Sequence, residues 1–121
     1  MPLTANRPNP LTLSQNPATD VAQTSLHLIR LHDHAIYLHR QAIAQFAAGD
    51  VTQAIETNET AIAIHLQQPK FHTFAGQLWA VQGDFKAAAR SWQTAQQIDP
   101  KDTIVADCLS ILKELKSATT L

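Results

Sequence analysis

The dipeptide Gly49-Asp50 recurs 34 residues later as Gly83-Asp84, and a period between about 20 and 50 residues decides an architecture before any single element is assigned. On that offset Ala54 overlies Ala88, Ala61 overlies Ala95 and Ile64 overlies Ile98. Each copy reads as helix, short turn, helix. The Gly stands where the first helix must end and the chain must reverse with little steric cost; the Asp stands where its carboxylate can accept from the first amides of the second helix. Gln53, three residues after Asp50, can complete a capping box. Only 3 of the 121 residues are Gly, and four of the 6 Pro (Pro2, Pro8, Pro10 and Pro17) fall at the start of the chain, so little interrupts helices after that. The expected fold class is all-α.

Between the two turns lies a denser signal. The stretch Phe71-His72-Thr73-Phe74-Ala75-Gly76-Gln77-Leu78-Trp79 is followed by Gly83-Asp84-Phe85, Ala88, Trp92, Ala95 and Ile98-Asp99-Pro100. Gly76, Ala88 and Ala95 lack bulk where antiparallel helices approach, Phe85, Trp79 and Trp92 are expected to fill the remaining space, and Pro100 stops the second helix. Residues 69–102 thereby resemble a tetratricopeptide repeat closely. Residues 35–68 are a weaker copy in register with it: Ala42, Gly49, Asp50, Ala54 and Ala61 fit, while Leu38 and Gln45 stand where aromatics are usual, Asn58 replaces a core aromatic and Leu66 replaces the final proline. The resemblance covers 68 of the residues and implies a solenoid of helical hairpins.

The flanks are read on their own. Pro-rich residues 1–18 read as a disordered tail, ahead of a single domain over 19–118. Thr19 or Asp20 can cap a helix that meets no Gly or Pro until Gly49. In it Val21, Leu28, Leu31, Ala35, Leu38 and Ala42 form one helical stripe, and Ile29, Ile36 and Ile43 another. Two readings stand: one helix of about 43 Å over 20–48 at 1.5 Å per residue, or two helices broken around His32 to His34. Asp20 and His27 fall where an earlier repeat would carry alanine, so 19–34 reads as an appended helical segment. Residues 103–116 place Ile104, Val105, Cys108, Leu109, Leu112 and Leu115 on one face and read as a capping helix, with Asp102 at its start and Lys113 and Lys116 near its carbonyl end.

Charge and composition exclude several functions. Nine Lys plus Arg against 10 Asp plus Glu give a net charge of -1, which leaves no basic surplus for nucleic acid. No segment reaches the roughly 20 apolar residues of a membrane span, and no leader is recognisable at the start. One cysteine, Cys108, forms no intramolecular disulfide, in keeping with a reducing, cytoplasmic setting. Of the 6 His, the four in one segment, His27, His32, His34 and His39, lie five, two and five residues apart, whereas helical ligand pairs need three or four. No metal and no cofactor is expected. No nucleophile elbow, phosphate loop or His-Glu-x-x-His pair is present; Cys108 sits on an apolar helix face as a small core residue, and a solvated face accounts for Glu56 with Glu59. The chain is not expected to be an enzyme.

Function is therefore sought in binding to a protein or peptide, with no small-molecule substrate. The resemblance implies a concave groove lined by the first helices of successive repeats. Carried over, it would present His39, Ile43 and Phe46 from the first unit and Lys70, Thr73, Gln77 and Val81 from the second. Of the carboxylate-gripping set that some relatives use on chaperone tails, only Lys70 matches; Phe74 occupies the arginine slot and Ile43 an asparagine slot. Ile43 and Phe46 have a second reading, burial against the appended helix or another subunit. Two repeats bury little surface, so a homodimer is expected. The expected function is a non-catalytic scaffold whose groove takes a peptide, a helix or a copy of itself. The alternative is an accessory or regulatory subunit docking onto an enzyme through its apolar N-terminal helix.

Overall fold

The computed structural model describes residues 17–119. These form α1 (Pro17–Ala47), α2 (Val51–Ile64), α3 (Pro69–Val81), α4 (Phe85–Ile98) and α5 (Thr103–Thr119), and no strand occurs among the described residues. The chain divides into two units, residues 1–30 and 31–121. Of the disordered tail expected for residues 1–18, residues 1–16 lie outside the described residues; Pro17 and Ala18 already belong to α1. The stretch around His32 to His34 is helical throughout, so α1 is a single helix. Within the first unit, Val21, Leu26, Leu28 and Ile29 are exposed along it.

In the second unit the helices keep step. α2 and α4 start and end 34 residues apart, and so do the starts of α3 and α5. The turns show why. At the end of α1 the Gly49 amide donates to the Phe46 carbonyl at 2.9 Å and the Asp50 amide to the Gln45 carbonyl at 2.9 Å; at the end of α3 the Gly83 amide donates to Ala80 at 3.0 Å and the Asp84 amide to Trp79 at 2.9 Å. This pair of bonds closes a helix with a residue in the left-handed region, and Gly49 and Gly83 sit there at φ 88° and 82°. Asp50 and Asp84 then cap α2 and α4 by accepting from the amides of Gln53 at 3.2 Å and Ala87 at 3.0 Å, each worth about 1 kcal/mol. Even the helix ends agree: His65 at φ -134°, ψ 83° and Asp99 at φ -130°, ψ 86°. Pro100 follows the stop of α4, and Leu66 follows the same stop of α2 one period earlier. Asp102 caps α5 through the amides of Ile104 at 2.9 Å and Val105 at 3.5 Å.

The core is three small clusters that each join neighbouring helices. Ala35, Ala61 and Phe71 link α1, α2 and α3 at one level; Ala42, Ala54, Phe74 and Leu78 link the same helices at the next. Ala88, Trp92, Ala95 and Val105 link α4 to α5. Alanine at these crossings lets the helix axes approach closely, and the larger residues fill what remains. One expectation needs correction here. Phe85 does not fill the space between α3 and α4 but is 50% exposed, because the first residue of α4 points over α5, where it lines a cleft with Leu112 and Leu115. On α5, Val105 is buried and Cys108, Leu109 and Leu112 pack on its cluster, whereas Ile104 and Leu115 stay exposed.

Candidate interaction faces

The residues expected to line a groove lie on two helices. His39, Ile43 and Phe46 follow one another at helical spacing on α1, and Lys70, Thr73, Gln77 and Val81 do so on α3. Phe74 joins the two sets: its ring meets that of His39 edge-on at 5.4 Å and that of Phe46 edge-on at 6.0 Å. His39 and Phe46 are half-buried in consequence, and Phe46 packs on the cluster of Ala42, Ala54, Phe74 and Leu78. They support the face more than they form its surface. Ile43 at 43% and Val81 at 58% exposure remain open, as do Lys70 and Gln77. Thr73 is half-buried; its hydroxyl donates to the Pro69 carbonyl at 3.1 Å. Lys70 is the only charged residue of the set.

Beneath this face lies a polar joint in which Asn58 is the centre. Its Nδ2 donates to the Phe71 carbonyl at 3.0 Å, and its Oδ1 lies 2.9 Å from Nδ1 of His39. A carboxamide oxygen only accepts, so Nδ1 of His39 carries the proton. One buried side chain thus ties α1, α2 and α3 together. The His39 ring also lies 4.7 Å from Phe71. His72 secures the loop before α3 in the same manner, with Nε2 donating to the Leu66 carbonyl at 2.7 Å. From sequence, Asn58 is visible only as a departure from an aromatic position, and nothing in the spacing points to His39, 19 residues away.

The remaining chemistry-bearing side chains are spread out. His32 and His65 meet edge-on at 5.1 Å, yet among the described residues no three His, Cys, Asp or Glu side chains converge on a point that could hold a metal ion. Burial, then the nearby charges of Asp107 and Asp102, push the Cys108 thiol up from its ordinary value, which keeps it protonated and a poor nucleophile at neutral pH. No helix among the described residues is long and apolar enough to cross a membrane.

A second face sequence reasoning did not single out lies between α4 and α5. There Phe85, Ala89, Leu112 and Leu115 wall an open cavity of about 300 Å³, with Lys86 and Lys116 at its edge.

No known family's profile matches the chain, and no curated protein matches it.

Proposed function

We propose that this chain is a tetratricopeptide-type scaffold, a non-catalytic solenoid of helical hairpins that binds a protein or peptide segment along the concave face of α1 and α3. One observation carries the reading: two hairpin turns with the same hydrogen bonds, the same left-handed glycine and the same capping aspartate, 34 residues apart. A unit repeated at that period buries its faces against neighbours and leaves the first helices side by side. Open Ile43 and Val81, with Gln77 and a single cation at Lys70, offer an apolar strip with few polar anchors, suited to an apolar segment carrying an acidic residue. Within this reading His39 and Phe46 hold α3 through Phe74, and the contact surface narrows to Ile43, Lys70, Gln77 and Val81.

The test is a selection of displayed random peptides on the folded protein, followed by affinity measurement on Ile43→Asp/Val81→Asp. Both positions are exposed, so the variant keeps its fold, checked by circular dichroism. Peptides that lose at least tenfold in affinity on the variant support the reading. Recovery only of peptides indifferent to it, or of none, overturns it.

The second reading, an accessory subunit docking through the N-terminal helix, is favoured by the exposed Val21, Leu26, Leu28 and Ile29. A second copy of the chain would serve as the partner equally well. Deleting residues 1–34 separates the readings: a partner of α1 and α3 is lost with Lys70→Glu, a partner of the N-terminal helix with the deletion. Light scattering at increasing concentration showing a constant monomer mass would remove the homodimer.

A further inference from the structure

We propose that the cleft between α4 and α5 is a second docking site, one that takes a segment of a partner protein bringing one or two bulky apolar side chains flanked by carboxylates. One lining residue of the cleft is smaller than its counterpart in the preceding period. One period earlier the cluster of Ala42, Ala54, Phe74 and Leu78 is closed over by Phe46, Val51 and Ile55, and Leu78 is 1% exposed. Thirty-four positions on, Ile55 becomes Ala89, which floors the cleft, while Val51 and Val81 become the larger Phe85 and Leu115 at its sides. Leu112, the counterpart of Leu78, is left half-open, and Phe85 and Leu115 stand 50% and 51% exposed at the sides. The space over Ala89, about 300 Å³, is the lower end of the range that seats a ligand.

Charge says which occupant. A second cavity continues the first along α4 past Gln93 and Gln96, bounded on α5 by Lys113. Lys86, Lys113 and Lys116 are three of the five lysines in a chain of net charge -1, and all three border these two cavities. Among the described residues, no Asp or Glu lines either one. An apolar floor with a cationic rim is complementary to an apolar stripe with an anionic border, and complementarity of this kind selects partners and their orientation. This site shares no residue with the α1 and α3 face.

A display library of random 12-residue peptides, selected on the Ile43→Asp/Val81→Asp protein, tests the proposal. Recovered sequences are expected to carry an aromatic or large aliphatic residue with Asp or Glu beside it. They should lose at least tenfold in affinity on Lys86→Glu/Lys113→Glu, two surface substitutions, and at least tenfold on Ala89→Ile. The latter restores the residue type found one period earlier and fills the floor, so it should melt at or above the temperature of the parent. Recovery of no peptide, of peptides without acidic residues, or of peptides indifferent to both variants overturns the proposal. Failure here leaves the α1 and α3 reading untouched.

Discussion

At the slot where α4 lays Trp92 against Gly76, α2 places Asn58 beside His39. The Trp92 indole donates to the Thr73 carbonyl at 3.0 Å and occupies the space where a Cβ on residue 76 would sit. One period earlier the positions of Thr73, Gly76 and Trp92 hold His39, Ala42 and Asn58. The first hairpin has a small side chain on its second helix and a large ring on its first; the second hairpin has the reverse. Hydrogen bonding is redistributed with the bulk: Trp92 reaches one carbonyl, while Asn58 reaches the Phe71 carbonyl and the His39 ring. The next helix answers in kind. Phe71, a polar contact of Asn58 through its backbone, has as its counterpart Val105, an apolar contact of Trp92. A repeated backbone thus tolerates two different fillings, provided that size and polarity are exchanged as a set.

Breaking the two sets should cost different amounts. Trp92→Ala empties the larger volume and should lower stability by about 3–5 kcal/mol in chemical denaturation. Next comes Gly76→Ala, which drives a methyl group into the indole and should cost about 3 kcal/mol, whereas Ala42→Gly at the matching slot loses only about 1 kcal/mol of helix propensity. Equal costs for those two would show that the Trp92 contact is not tight. Asn58→Ala strands a buried carbonyl and the His39 ring, for a loss of about 2 kcal/mol; a neutral result would deny the joint its role. Smallest, and the same in both hairpins, are Asp50→Ala and Asp84→Ala at about 1 kcal/mol each. A difference of more than about 1 kcal/mol between the two caps would mean that the turns are not equivalent.

Much of the fold was legible because it is written locally. Gly49-Asp50 and Gly83-Asp84 carry their own instructions within a few residues: a left-handed closure followed by a carboxylate for the exposed amides. Helix boundaries follow from them, and small residues at Ala54, Ala61, Ala88 and Ala95 mark the crossings. Long-range substitutions were less legible. Asn58 could be recognised as out of place but not as the partner of His39, since that bond depends on three helices meeting at one level. His39 and Phe46, carried over from the resemblance as groove residues, with burial as the second reading of Phe46, are half-buried because Phe74 lies between them. Phe85 was read as filling and instead stands at the mouth of a cleft with Ala89 and Leu112. The floor of the cleft was already in the sequence as Ala89 under Ile55. Comparing side-chain volumes along the offset, rather than matching residue types, would have found it.

Grafting one filling onto the other hairpin tests the claim that both are the same unit. Asn58→Trp alone places an indole against Ala42 and His39 and should lose more than about 2 kcal/mol. The triple variant His39→Thr/Ala42→Gly/Asn58→Trp carries the complete set of the second hairpin and should recover to within about 1 kcal/mol of the wild type, read from denaturant midpoints at constant slope. A triple variant no more stable than the single one would contradict the account.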